Sequence, residues 1–398
     1  MDHLRILSVI PYYAPAWAYG GPVRVAYEIN KRLAARGHQV TVATTDALDR
    51  QKRLENRHEY LDGVEVIRFR NLHNGLAWQR LFLPIGFQSW LSEHIDQFDL
   101  VHLNDIRTLQ NLLALPILQR SRLPFIVMPH GGLPRELGRG SLKWIYDQIV
   151  GWQLLEQASI LHALTPLERA QYHALGIDDA RIVEIPNGIP VAEFDLEVDT
   201  EAFKVQHGMP PHRPIVGFLA RLNAIKGPDF LIDAFAEVRR QRPDAILLMA
   251  GPDDGALADL QAQIARLGLT EAVHLIGYVG DSQTKACVYR ASHVYVLPSR
   301  YEIQGISLLE ALLNGTPVIT THQCGLSPLL ADKGMADVVP FGDVQALAHA
   351  MLRQLDVGRD DYRQQARRNF VTEQFNWDRM VDQWEVVYQR TLRDKESS

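Results

Sequence analysis

Cysteine is nearly absent from these 398 residues: Cys287 and Cys324 are the only two, far apart in the chain. That rules out a disulfide framework and any cysteine-spaced metal site, and makes a reducing, cytoplasmic setting the default. Excess positive charge is missing too. Forty-one Lys/Arg stand against 47 Asp/Glu, a formal net charge of −6, which argues against a general nucleic-acid binder. No apolar run approaches the ~20 residues that span a bilayer. The opening MDHLRILSVIPYYAP has a short apolar core with aromatic and proline flanks, and reads as a buried strand rather than a signal peptide. There is no G-x-G-x-x-G, no Walker-type phosphate loop, no low-complexity segment and no short repeat. A nicotinamide enzyme is therefore poorly supported.

What is present is ordinary for a globular protein, with 46% apolar and 22% charged residues. The length suits two domains better than one core. The charge divides unevenly: 20 Lys/Arg against 19 Asp/Glu over residues 1–190, and 21 against 28 over 191–398. Apolar strand-like runs alternate with helical spacings throughout, which predicts an α/β architecture with parallel sheets. LRILSVI (4–10), QVTVATT (39–45), VEVIRF (64–69), LVHLN (100–104), PFIVMP (124–129), ILHALT (160–165) and RIVEIP (181–186) form the first series. A helix is expected over Pro22–Arg36, closed by Gly37. PIVGFLAR (214–221), AILLMAG (245–251), VHLIGY (273–278), VYVLP (294–298), PVITT (317–321) and ADVVP (336–340) restart the rhythm. Two doubly wound units follow, 1–190 and 191–376, with a linker near IPNGIPVAEF (185–194). Large aromatics on one face of WDRMVDQWEVVYQRTL (377–392) predict an amphipathic final helix.

Doubly wound sheets hold ligands at the carboxyl ends of their strands, and the polar candidates lie there. Gly20–Gly21–Pro22 opens the first helix and serves either a phosphate or a plain helix start. Arg221 closes a strand and Lys226 follows in the loop before a helix, a placement suited to a diphosphate or simply to two surface cations. His130 in MPHGG ends another strand. In PSRYEIQGISLLEALLNGTP (298–317), Glu302 lies before a predicted helix and Glu310 one turn inside it, with Gly305, Ile306 and Ser307 at the helix start. Ionised carboxylates there suit adjacent hydroxyl groups, while Glu310 alone could simply favour its helix N-terminus.

In order and spacing these residues resemble glycosyltransferase family 4, the retaining nucleotide-sugar enzymes of the GT-B fold. The likeness takes in the glycine pair, the HG at 130–131, the PNG of the linker and the R-x4-K of Arg221 and Lys226. It continues through the E-x7-E of Glu302 and Glu310, the following G-T-P-V-I, and the closing FNWDRMVDQWEVVY. The resemblance implies two facing Rossmann-like domains with an inter-domain cleft, and a helix 377–398 packing back on the first. It implies that Arg221 and Lys226 bind the donor diphosphate and that Glu310 takes the ribose hydroxyls. Glu302, with the Ile303–Ser307 backbone, would hold the transferred sugar, and His130 would touch the sugar near the reacting carbon. Gly20 and Gly21 would let a loop close over the phosphates, and the backbone at Tyr278 and Val279 would hold the base. That family usually reads E-G-F-G or E-N-F-G where this chain has E-I-Q-G, so Ile303 and Gln304 are where the choice of sugar is expected to differ.

The function so implied is retaining transfer from a UDP- or GDP-sugar to a hydroxyl acceptor in bacterial envelope polysaccharide or glycolipid synthesis. The protein would be cytoplasmic, or peripheral at the inner face of the plasma membrane. No D-x-D pair occurs, so the diphosphate is expected to be neutralised without metal or other cofactor. A nucleotide-sugar epimerase or phosphorylase-like enzyme, and a non-catalytic nucleotide-sugar binder, are the competing readings. The stretch 131–155 mixes Arg135, Arg139 and Lys143 with Trp144, Tyr146 and Trp152, a surface for a lipid-linked or saccharide acceptor or else an ordinary packed helix.

Overall fold

The computed structural model describes residues 3–134, 140–358 and 360–396. Arg135 and Arg139 of the proposed acceptor stretch lie outside them. The chain divides into two compact units. One runs to Gly188 and takes up again at Trp377, and the other is Ile189–Asn376. The division falls two residues before the expected boundary, where Gly188 lies against Trp377. A Cβ at Gly188 would come within 2.6 Å of the indole. The next residue, Ile189, already donates its N–H to the Phe375 carbonyl, inside the other unit.

Among the described residues the first unit holds a nine-stranded sheet. Its order is His58–Leu61, Val64–Asn71, Gln39–Thr45, Arg5–Val9, Leu100–Asn104, Phe125–Met128, Ile160–Ala163, Ile182–Glu184, with Pro84–Ile85 added on Val64–Asn71. Only the pairings made by His58–Leu61 and Pro84–Ile85 are antiparallel. Continuous apolar runs such as Phe125–Met128 are buried on both faces, as parallel strands with helices on either side must be. The first helix, Gly21–Ala35, starts one residue earlier than the spacing suggests and has Pro22 in its first turn. Gly37, just past its end, has φ 95, a conformation that favours glycine.

The second unit's sheet is entirely parallel. Its order is Val273–Gly277, Ile246–Ala250, Ile215–Leu219, Val294–Leu297, Val318–Thr321, Ala336–Val339. Numbered within the unit this is 3-2-1-4-5-6, the doubly wound dinucleotide-domain order. The winding reverses between Ile215–Leu219 and Val294–Leu297, and the loops leaving those two strands bound the ligand crevice that such a reversal opens.

The last helix, Trp377–Glu396, belongs to the first unit. Trp384 sits between the rings of His102 (4.9 Å) and His162 (4.8 Å). Arg36 grips Asp382 at 2.7 Å and the buried Glu385 at 2.6 Å. His38 accepts the Leu4 N–H at Nδ1, so its hydrogen sits on Nε2 and donates to Glu385 at 3.1 Å. No helix among the described residues is long and apolar enough to cross a membrane.

Candidate active site

In the second unit, Arg221, Lys226 and Glu302 all lie in the two loops that leave the reversal point. Strand Ile215–Leu219 runs into Ala220 and Arg221, held close to Gly251. A Cβ at Gly251 would fall 1.8 Å from the Ala220 carbonyl, so only glycine permits the approach. Arg221 Nη1 donates to Asp254 at 2.7 Å, and Asn223 Nδ2 donates to the same oxygen at 2.7 Å. Asn223 also caps the short turn Ala224–Lys226 by accepting the Lys226 N–H. Gly227 follows at φ 67 with its Cα against the Pro298 carbonyl. This turn aims the Lys226 ammonium at Glu302, 2.5 Å away. The Arg221 side chain is 59% exposed and Lys226 19%, so the first reaches into solvent while the second is sheltered.

Glu302 is fixed from behind. Its N–H donates to the Gln323 carbonyl, and its own carbonyl accepts from Gly325. Gly305, at φ 73, turns the chain into helix Ile306–Leu313, and no side chain caps the first amides of that helix. Unsatisfied amides at a helix start form a ready anion site. Tyr295 donates its hydroxyl to the Leu219 carbonyl at 2.9 Å and bonds the Ser307 side chain, tying that start to the neighbouring strand. Glu310 is buried one turn further in. Its Oε2 accepts the Tyr289 hydroxyl at 2.6 Å and its Oε1 the Lys285 ammonium at 3.3 Å. Burial and the adjacent carboxylate push the Tyr289 phenol well above its ordinary value, so it stays a donor.

The other expected residues of this unit differ in exposure. Ile303 and Gln304 are buried, so any effect of these two side chains on a sugar passes through the course of the backbone. Tyr278 is 74% exposed and Val279 buried, just past the edge strand Val273–Gly277. Lys285 and Tyr289 escaped the sequence reading. Their i, i+4 spacing on one helix was the available signal.

In the first unit the winding reverses between Arg5–Val9 and Leu100–Asn104. Gly20 (φ 99) and Gly21 lead into the first helix, with open space where their Cβ atoms would lie. Past the neighbouring strand, Asp105 has φ 66 and accepts the Tyr12 hydroxyl at 2.7 Å. Burial raises the Asp105 carboxyl above its usual range. His130 ends strand Phe125–Met128 in a left-handed conformation, φ 51. Asn104 spends its amide hydrogens on Ser8 Oγ and the Val9 carbonyl, so its Oδ1 is the acceptor and the His130 hydrogen sits on Nε2 (3.3 Å). Burial lowers this imidazole to about 3, so the ring is neutral and Nδ1 keeps its lone pair.

Comparison with known proteins agrees with this architecture. The family model for glycosyl transferases group 1 matches residues 199–370, and that for the glycosyl transferase 4-like domain matches 20–188. A D-inositol 3-phosphate glycosyltransferase of Jonesia denitrificans is 31% identical over 60% of this chain, a match that spans 58% of that relative's length. One of the same name from Kineococcus radiotolerans is 26% identical over 99% of this chain and 97% of its own. Among solved structures, sucrose-phosphate synthase from Thermosynechococcus elongatus superposes with a TM-score of 0.77 at 22% identity, covering 98% of this chain and 100% of that one. Anabaena HepE in complex with UDP and glucose gives 0.74 at 20% identity, with the same coverage of both chains. The two family models follow one another along most of the sequence, each lying on one Rossmann-like unit, and the chain belongs to the group 1, family 4-like glycosyltransferases of the GT-B fold.

Proposed function

We propose that the protein transfers a sugar from a nucleoside diphosphate sugar, UDP- or GDP-linked, to a hydroxyl acceptor with retention at the anomeric carbon. The observation that carries this reading is the grouping at the second unit's winding reversal. Two cations, Glu302 and an uncapped helix start lie on the loops that lead away from it, with Glu310 one turn inside that helix. Each cation is paired with a carboxylate, and a diphosphate would replace Asp254 on Arg221 and draw Lys226 from Glu302. Glu302 is then released to hold sugar hydroxyls, while Glu310, oriented by Tyr289, receives those of the ribose. As the glycosidic bond breaks, charge grows on the leaving phosphate, and Arg221, Lys226 and the Ile306–Ser307 amides stabilise it. A phosphate oxygen takes the acceptor's proton. His130, as the family resemblance implies, would touch the donor sugar, and its neutral ring would not compete for the diphosphate.

The neutralisation is metal-independent on this reading, so turnover should survive EDTA. The UDP complex of HepE and the relatives' names support a nucleotide-sugar donor and a hydroxyl acceptor. The acceptor is a lipid-linked sugar or saccharide of the bacterial envelope, met by the face that exposes Trp144, Ile145 and Ile149. The enzyme would meet it from the cytoplasm, at the membrane's inner face. A panel of nucleotide sugars, assayed for transfer and for hydrolysis, tests the proposal. Lys226→Ala and Glu302→Ala should each lower turnover at least a hundredfold, and undiminished transfer by both would refute the site.

A further inference from the structure

The turn that carries His130 is held from two sides by residues with no part in the chemistry described so far. His130 is in the left-handed region and Gly131 follows at φ 80. Gly132 packs so tightly that a Cβ there would lie 2.8 Å from the Pro129 carbonyl. A left-handed histidine persists only where its surroundings over-determine it. On one side stands Glu168, fully buried in the first turn of helix Pro166–Ala174. Its Oε1 accepts the Gly131 N–H at 2.8 Å and its Oε2 the Leu164 N–H at 2.9 Å. One carboxylate thus joins the His130 turn to the end of the neighbouring strand.

On the other side is Arg107. It donates to the Gly132 carbonyl through Nη1 and to the Leu133 carbonyl through Nη2 at 3.0 Å. Its Nε and Nη2 also grip the two oxygens of the buried Asp147, at 2.8 and 2.9 Å. Asp147 opens a one-turn π-helix, Asp147–Gly151. Gly151 makes room for the carboxylate, since a Cβ there would lie 2.6 Å from Oδ1. The adjacent Tyr146 hydroxyl donates to the Thr108 carbonyl at 2.9 Å. A planar guanidinium with five fixed donors suits this double task, and an ammonium could satisfy only part of it. The extra residue of a π-turn is a device that recurs at functional sites.

We infer that Glu168 and the Arg107–Asp147 pair are positioning residues for sugar transfer. They clamp the His130–Leu133 turn from opposite sides and couple it to the helical segment Gly140–Gly151. The inference rests on the proposed role of His130 at the donor sugar. Glu168 fixes the amide face of the turn and Arg107 its carbonyl face, so neither alone sets the histidine's orientation.

Glu168→Gln tests the amide face, because the isosteric amide must turn its NH2 toward one of the two N–H groups. Arg107→Lys and Asp147→Asn test the other face, so that a variant that fails to fold still leaves one to measure. Each should lower kcat at least tenfold, while nucleotide Kd by calorimetry, a property of the second unit, changes less than twofold. In the His130→Ala background, with residual turnover followed over hours, each should cost less than a further twofold, because residues acting through His130 are not additive with it. Unchanged kcat, or the same tenfold loss with and without His130, overturns the inference. If Lys226→Ala and His130→Ala each lower transfer at least tenfold while the clamp variants do not, the clamp fails and the site reading stands. If Lys226→Ala and His130→Ala are both fully active, the site reading fails and the clamp with it.

Discussion

Replacing Glu168 with Gln should change how the first unit's stability depends on pH, by an amount that follows from its surroundings. Burial raises this carboxyl from 4.5 to about 7, opposed only in part by the Leu164 and Gly131 amides. A displacement of that size corresponds to roughly 3 kcal/mol. Below pH 4.5 the group is protonated both folded and unfolded and contributes its full share of stability. As pH rises toward 7 the unfolded chain ionises while the folded one resists, so that share is lost. Gln cannot ionise, and it sets an NH2 against one amide at a constant cost of about 1–2 kcal/mol. The wild type should therefore be the more stable near pH 4.5 and the less stable above pH 7, the curves crossing between. His102, His130 and His162, all lowered to about 3 by burial, act in the opposite sense as pH falls below 6.5. They are common to both proteins and drop out of the difference. All seven tryptophans lie in the first unit, so urea unfolding followed by their fluorescence reads that unit alone. Parallel stability curves for the two proteins from pH 4.5 to 8 would refute the argument.

Three further perturbations probe other parts of the fold. Glu385→Ala takes from Arg36 and His38 their shared buried partner, though Arg36 keeps Asp382, and should destabilise the first unit by about 1–3 kcal/mol in the same urea assay. Gly227→Ala combines a strained φ with a Cβ 2.2 Å from the Pro298 carbonyl. It should weaken nucleotide binding by calorimetry at least tenfold while the tryptophan-monitored transition stays in place. Tyr289→Phe removes the hydroxyl that orients Glu310, a charged hydrogen bond worth about 1.5–3 kcal/mol. The donor KM should rise roughly tenfold or more with kcat little changed.

Strand positions were legible because most are largely apolar runs closed by proline, glycine or a charge, and the observed bounds lie within two residues of the runs. His58–Leu61 escaped because HEYL is short and half exposed, with no apolar face to betray it. The π-turn at Asp147 escaped because one inserted residue barely disturbs a helical spacing. Arg221, Lys226, Glu302 and Glu310 could be picked out as charges at strand ends and helix starts. Glu168 could not, because an acid in the first turn of PLERAQYHA looks like any solvated helix start. One of the two amides it holds, that of Gly131, lies 37 positions away. Arg107 and Tyr289 are hidden for the same reason: their partners are set by packing that no local pattern records.

The return of the last helix to the first unit sets the order in which a growing chain can mature. The ribosome delivers all of Ile189–Asn376 before it makes the residues that cover His102 and His162. At ~5–20 residues per second, making the second unit takes roughly 10–40 s, and through all of it the first unit lacks its last helix. Through that interval the groove meant for Trp384 stays open. A nascent chain stalled or cut short just before residue 377 would carry a finished second unit with an unfinished first one, which makes chaperone capture of the first half the expected companion of synthesis.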